Sequence, residues 1–186
     1  MSRTLASMVA GLIVLVTVPQ LGFGATWSIG SHLGLGRLKG LKGGGASTVL
    51  AWPSNALGYQ PALRIGFGDS RRAHELQLDS GVFLVDEGGS TFSAFSGSAG
   101  YQFTVFSSWT NAPFANLGLG FFREGGAAHS TLSTSWGAGI GMRHLVHDRH
   151  GALRFEGRVD HLQSAEKIGR PGITTVGVRL GFDLWL

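Results

Sequence analysis

Cysteine is absent from this 186-residue chain, which excludes a disulfide framework and a lipoprotein anchor on a first cysteine. Lysine is nearly absent, with only Lys39, Lys42 and Lys167, and charged residues make up just 14% of the chain. The formal net charge of +4 is too small to point to nucleic acid as a partner. Beyond the first 24 residues no 20-residue window is predominantly apolar, so a membrane-spanning helix is not expected there. An exported domain without disulfides needs either a real hydrophobic core or a membrane around it.

The N-terminal stretch reads as an address. Arg3 supplies a positive start, Leu5 to Val18 is almost wholly apolar, and Pro19 and Gly22 end any helix before the small residues Gly24 and Ala25. That order predicts a secretory signal peptide over residues 1–24, with Gly22 and Gly24 at the positions cleavage requires. An uncleaved anchor would need an apolar run of about 20 residues. The expected mature chain, 25–186, loses only Arg3 among its charges, leaving +3 from the +4 of the whole.

What the chain has in abundance is glycine, 31 residues, and phenylalanine, 12 residues, a composition suited to many short strands. The C-terminus shows the pattern most fully. Thr174, Val176, Val178, Leu180, Phe182, Leu184 and Leu186 alternate with Thr175, Gly177, Arg179, Gly181, Asp183 and Trp185, so one strand face is apolar and the other small or charged. Thirteen residues from Thr174 to Leu186 is near the length that crosses a bilayer at a tilt. The same alternation runs through segments led by Leu153, Trp136, Ala115, Ala99, Leu76, Leu63 and Trp27. Residues 88–122 hold no charge at all, yet Gly, Ser, Thr, Asn and Pro113 are scattered through them; two strands and a turn fit better than a helix. Together these segments predict eight antiparallel strands in an up-and-down barrel. Ser47–Trp52 either extends the second strand or forms an extra hairpin, which leaves ten strands as the lesser count.

Connector lengths alternate as well. With the N-terminus inside, short polar turns are predicted near Asp69–Ala73, Thr110–Pro113 and Val146–Gly151. Outer connectors fall at Arg37–Gln60, Asp86–Ser90, Arg123–Ser130 and Gln163–Gly172. Short inner turns with longer outer loops belong to transmembrane barrels, and an even strand count returns both termini to one side.

Alternation alone does not say which face is inside. A soluble lipocalin-like carrier would turn its apolar set inward; a membrane barrel reverses this. The non-apolar faces here are rich in glycine and serine, as a crowded small lumen requires. Their charges balance: Arg64, Arg143, Arg154, Arg158 and Arg179 stand against Glu75, Asp79, Glu156, Asp160 and Asp183, and buried charges must be paired. All three lysines fall in predicted outer loops. The apolar faces are therefore expected to meet lipid.

On these features the mature chain resembles the small outer-membrane barrels of the OmpA and OmpX type, within the broad outer-membrane β-barrel domain family. The carriers of the resemblance are the signal peptide, the Gly-x-Gly strands at Asn116–Phe121 and Trp136–Gly141, the Leu153–Arg158 segment and the terminal strand. The resemblance implies that Phe182, Leu184, Trp185 and Leu186 form the assembly signal read by the barrel assembly machinery, although in that family the last residue is usually phenylalanine and here it is leucine. It also implies outer-membrane lipids and lipopolysaccharide as surroundings, and a bacterial outer-membrane location.

Several constellations invite chemistry. Arg154, Glu156, Arg158 and Asp160 share one face of one strand; this could line a pore, but an eight-stranded interior is about filled by its side chains, so a plugging salt-bridge network is the favoured reading. Barrels resembling lipid A deacylases carry a His-x-Ser pair on the lipid face. His161 has the right parity, yet Ser164 lies three positions on, and an odd step sends side chains to opposite faces. His129-Ser130 is adjacent and lies in a loop. No catalytic residue is assigned. His144, His147, Asp148 and His150 crowd one turn without a recognised ligand spacing, so no metal or other cofactor is assigned. Gly137-x-Gly139-x-Gly141 lacks the following helix of a dinucleotide site and reads as relief of lumen crowding. Arg37, Lys39 and Lys42 make the first outer loop basic, either to meet lipopolysaccharide phosphates or as a solvated loop. The sequence therefore predicts a non-enzymatic integral outer-membrane protein. A lipid A-modifying barrel enzyme and a soluble exported carrier of an apolar ligand are its alternatives.

Overall fold

A computed structural model describes residues 26–39, 47–51, 62–87, 90–125, 130–146, 150–166, 169 and 171–186. Residues 1–24, read as an export signal, lie outside the described residues, as do Lys42, His129, His147, Asp148 and Lys167. The strands are β1 (Thr26–Lys39), β2 (Ser47–Ala51), β3 (Ala62–Gly68), β4 (His74–Glu87), β5 (Ser90–Thr104), β6 (Asn111–Gly125), β7 (Ser130–Val146), β8 (Gly151–Leu162) and β9 (Ile173–Trp185). From β3 onward each pairs antiparallel with the next, and β9 returns to β1 from Ser28↔Trp185 to Lys39↔Thr174. The sheet closes on itself through the β1–β9 pairing.

Nine strands make eight staves, because β2 and β3 lie end to end against β1. β3 pairs with Thr26–Ser31 and β2 with Gly34–Leu38. Ser47–Ala51 thus extends the second stave. Pairing between β3 and β4 ends at Ala62↔Gly81, and among the described residues no pairing joins β2 to β4. The charge-free stretch forms β5, a turn and β6, as its turn-forming residues predicted.

The start of β1, the end of β9 and the strand ends joined by the three short connectors lie at one end, which is the inner end of a barrel in the membrane. In the first turn the Asp69 carboxylate accepts from the backbone N–H of Ala73 at 2.8 Å and of His74 at 3.3 Å, the side-chain-capped turn that aspartate favours. The second inner turn differs from the sequence reading. It occupies residues 105–110, and Pro113, expected in the turn, sits within β6. Val105 N–H donates to the Pro113 carbonyl at 2.9 Å. In an antiparallel strand a residue's N–H and C=O point to the same neighbour. The donor that proline lacks is therefore missed only where the β5–β6 ladder is ending.

The barrel is apolar outside and polar inside. Leu119 is 70% and Ile140 72% exposed, and Ile29, Leu63, Leu117, Phe155, Leu180 and Leu184 lie on the same outer wall. Arg64, Glu75, Gln77, Gln102, Glu156, Asp160 and Asp183 are buried. This inverts a soluble barrel, so the expectation of lipid-facing apolar sides is met.

The charged lumen

Alternation places the lumen residues without further help. On β8, Arg154, Glu156, Arg158 and Asp160 all turn inward, and β9 sets Arg179 and Asp183 opposite them. Arg158 sits at the centre. Its Nε donates to Asp160 Oδ1 at 2.7 Å, while Nη1 reaches Asn116 Oδ1 at 2.6 Å and Glu156 Oε1 at 3.2 Å. Asp160 accepts from Arg179 Nη2 as well, at 3.1 Å on its other oxygen. One carboxylate thus bridges two guanidiniums.

Two further pairs stand nearer the other side and the inner end. Arg64 and Asp79 are cross-strand partners in the β3–β4 register and meet in a fork of two bonds, 2.7 and 3.0 Å, the geometry in which arginine is strongest. Arg154 Nη1 reaches Asp183 Oδ2 at 3.1 Å, and its Nη2 donates to Gln102. From Gln102 a neutral chain continues to Gln77 and Thr104 at 3.0 and 3.1 Å.

Not every charge named from the sequence joins this network. Glu75 accepts from Ser28 Oγ at 3.1 Å. Arg143 donates to the backbone carbonyls of Arg72 and Ser107 at 3.3 and 3.4 Å. Its guanidinium also lies 5.4 Å from the centre of the Trp185 ring, so it serves the inner end of the barrel.

The charged layer lies between two apolar levels. At the outer end Phe122, Leu162, Ala165 and Ile173 are buried. At the inner end Trp185, only 6% exposed, packs with Leu145 and Ala152, and the Arg72 guanidinium stacks 4.2 Å from its ring centre. Phe182, Leu184 and Leu186 of the expected assembly signal are exposed on the outer wall, whereas Trp185 turns inward. Glycine makes the layer possible: a Cβ at Gly137 would stand 2.6 Å from Arg158 Nη2 and overlap the Asp160 carboxylate.

Alternation puts His32, Gln77, Gln102, Asn116, Phe122 and Trp185 on the inward faces, but the lumen residues named from the sequence are charges only, and Phe114 is not among the alternating sets. Their strand parity was the available signal. His32 is 5% exposed and its Nε2 has no protein partner; it lines a small internal void with Arg64, Arg154, Glu156, Arg179 and Asp183.

The other constellations remain apart. His161 Nδ1 lies 3.0 Å from Thr174 Oγ1, and its ring packs 5.6 Å from that of Trp136. β8 ends at Leu162, and Ser164 is exposed beyond it. His144 Nδ1 is 2.7 Å from Asn111 Oδ1, and among the described residues no group of three or more His, Asp or Glu side chains is arranged to hold a metal ion.

A closed barrel that is apolar on its wall and ion-paired in its lumen is a transmembrane barrel of the outer-membrane type. Solved structures share the fold. Neisserial surface protein A superposes with a TM-score of 0.63 at 11% identity, over 87% of this chain and 98% of that one. OprG of Pseudomonas aeruginosa gives 0.51 at 11% identity, over 88% and 96%. Ail of Yersinia pestis, in complex with the heparin analogue sucrose octasulfate, gives 0.50 at 13% identity, over 87% and 99%. No protein-family model matches the chain, and no curated protein matches it.

Proposed function

We propose that this chain is a non-enzymatic integral outer-membrane protein whose lumen is a charge plug, its role lying in envelope integrity or in what its outer loops touch. The observation that carries this reading is the Glu156–Arg158–Asp160–Arg179 ion-pair chain held between apolar levels at Leu162 and Trp185. Paired charges in a filled interior have little room for a hydrated ion, and each broken pair would leave a costly unpaired charge. Purified protein in planar bilayers is expected to show no large, steady conductance. Reproducible nanosiemens-scale channels from a homogeneous sample would overturn the plug.

Partners follow from the same placement. Outer-membrane lipids and lipopolysaccharide surround the wall, with exposed Arg37 at the outer end of β1 suited to lipopolysaccharide phosphates. The barrel assembly machinery would read Phe182, Leu184, Trp185 and Leu186 on the terminal strand. Against a lipid A-modifying enzyme stands the hydrogen bond of His161 to Thr174, since a general base must reach its nucleophile. Cells expressing the chain should therefore show unchanged lipid A acylation by mass spectrometry. Loss of an acyl chain that depends on both His161 and Ser164 would establish the enzyme instead.

A further inference from the structure

The three inner turns are not alike. The first carries Asp69, Arg71 and Arg72, and the third carries Asp148 and Arg149 among histidines, but residues 105–110 read Val-Phe-Ser-Ser-Trp-Thr with no charge. At the tip Phe106 and Trp109 stack, ring centres 4.3 Å apart and planes within 12°, and each is 56% exposed. Phe106 holds this pose at φ 51°, a left-handed conformation that a bulky residue adopts only against strain.

The patch is also continuous with a surface already assigned. Tyr101, Phe103 and Val105 are exposed in sequence along the outer wall, and the His74 ring packs 5.3 Å from that of Phe103. The lipid-facing side of β5 thus runs past the strand end onto the turn without meeting a charge. Aromatic rings settle at the level of the lipid headgroups, and an apolar patch of this kind marks an interaction surface.

We propose that the β5–β6 turn is an interfacial anchor, its Phe106–Trp109 stack seated in the headgroup region of the inner leaflet while the first inner turn stands in water. The proposal rests on the transmembrane reading of the barrel. Because the chain has no cysteine, single nitroxide labels can be placed cleanly at S108C in this turn, S70C in the first turn and L117C on the mid-wall. In phospholipid vesicles, collision with oxygen is compared with collision with a water-soluble nickel chelate.

The label at S108C should favour oxygen several-fold more than the label at S70C, and L117C should favour it most. Adding F106S/W109S to the S108C protein should return that label to nickel access, with L117C unmoved. An S108C label as nickel-accessible as that at S70C would overturn the anchor. Spin–spin broadening at S108C that grows with the protein-to-lipid ratio would also overturn it, by assigning the patch to a second copy of the chain. An aqueous L117C label would instead sink the transmembrane reading, and the anchor with it.

Discussion

At the residue scale the lumen is governed by how few atoms it can hold. A Cβ at Gly137 would overlap the Asp160 carboxylate and crowd Arg158, so Gly137→Ala should destabilise the barrel by about 1–3 kcal/mol, the usual cost of overpacking. Gly157→Ala is the matched control, because its Cβ would find nothing nearer than 3.9 Å; urea unfolding of both in lipid checks the contrast. Asp160 gives a second test. It accepts from Arg158 at 2.7 Å and from Arg179 at 3.1 Å, so Asp160→Asn removes one charged partner from each of two guanidiniums, Arg158 keeping Glu156 at 3.2 Å. A loss below the roughly 3–5 kcal/mol of a buried charge left wholly unpaired is expected, because both guanidiniums keep other partners. The double variant Asp160→Asn/Arg179→Met should recover part of it, and strict additivity in the cycle would show that the pair is not coupled.

At the element scale each stave has two solvents, lipid on one side and packed charge on the other. Leu117 on β6 and Leu180 on β9 are exposed on the lipid side. Leu117→Arg or Leu180→Arg should impair insertion by about 2–4 kcal/mol, the cost of a guanidinium near the bilayer midplane. Wild-type folding yields for both variants would contradict the lipid-facing assignment. This was the scale at which the sequence was most legible, because a period of two survives any detail of packing: the strand read from Thr174 to Leu186 is β9 shifted by one residue. Turns were less legible. Pro113 looked like a turn residue, and nothing local reveals that its missing donor points at a ladder's last rung. Pairings were less legible again. Arg64–Asp79 is set by cross-strand register, and the fork on Asp160 requires β8 and β9 to be aligned first. Parity puts His32 and Gln102 on the inward face, but a network defined by charge leaves both out.

At the scale of the whole molecule, the proposed plug is a stack of three layers in one lumen: apolar, ionic, apolar. Under that proposal two of them are redundant as seals. Removing the inner cap with Trp185→Ala should leave planar-bilayer conductance at background, since the ionic layer above it is intact. Combining Trp185→Ala with Arg158→Ala and Asp160→Ala should produce measurable, small conductance steps if the variant still folds, which heat-modifiable migration on a gel reports. Conductance from Trp185→Ala alone would mean that the charged layer is wet.

The burial of Trp185 also fixes an order of events. Its ring lies on the final strand, against Leu145 and Ala152 from β7 and β8 and beneath Arg72 from the turn between β3 and β4. That turn and those strands meet only when β9 has zipped onto β1 and the circle is complete. The tryptophan therefore acts as a clock for closure: while the earlier staves insert, its emission should stay that of an unburied indole, and it should shift in the last kinetic phase of folding, with the final joining of the wall.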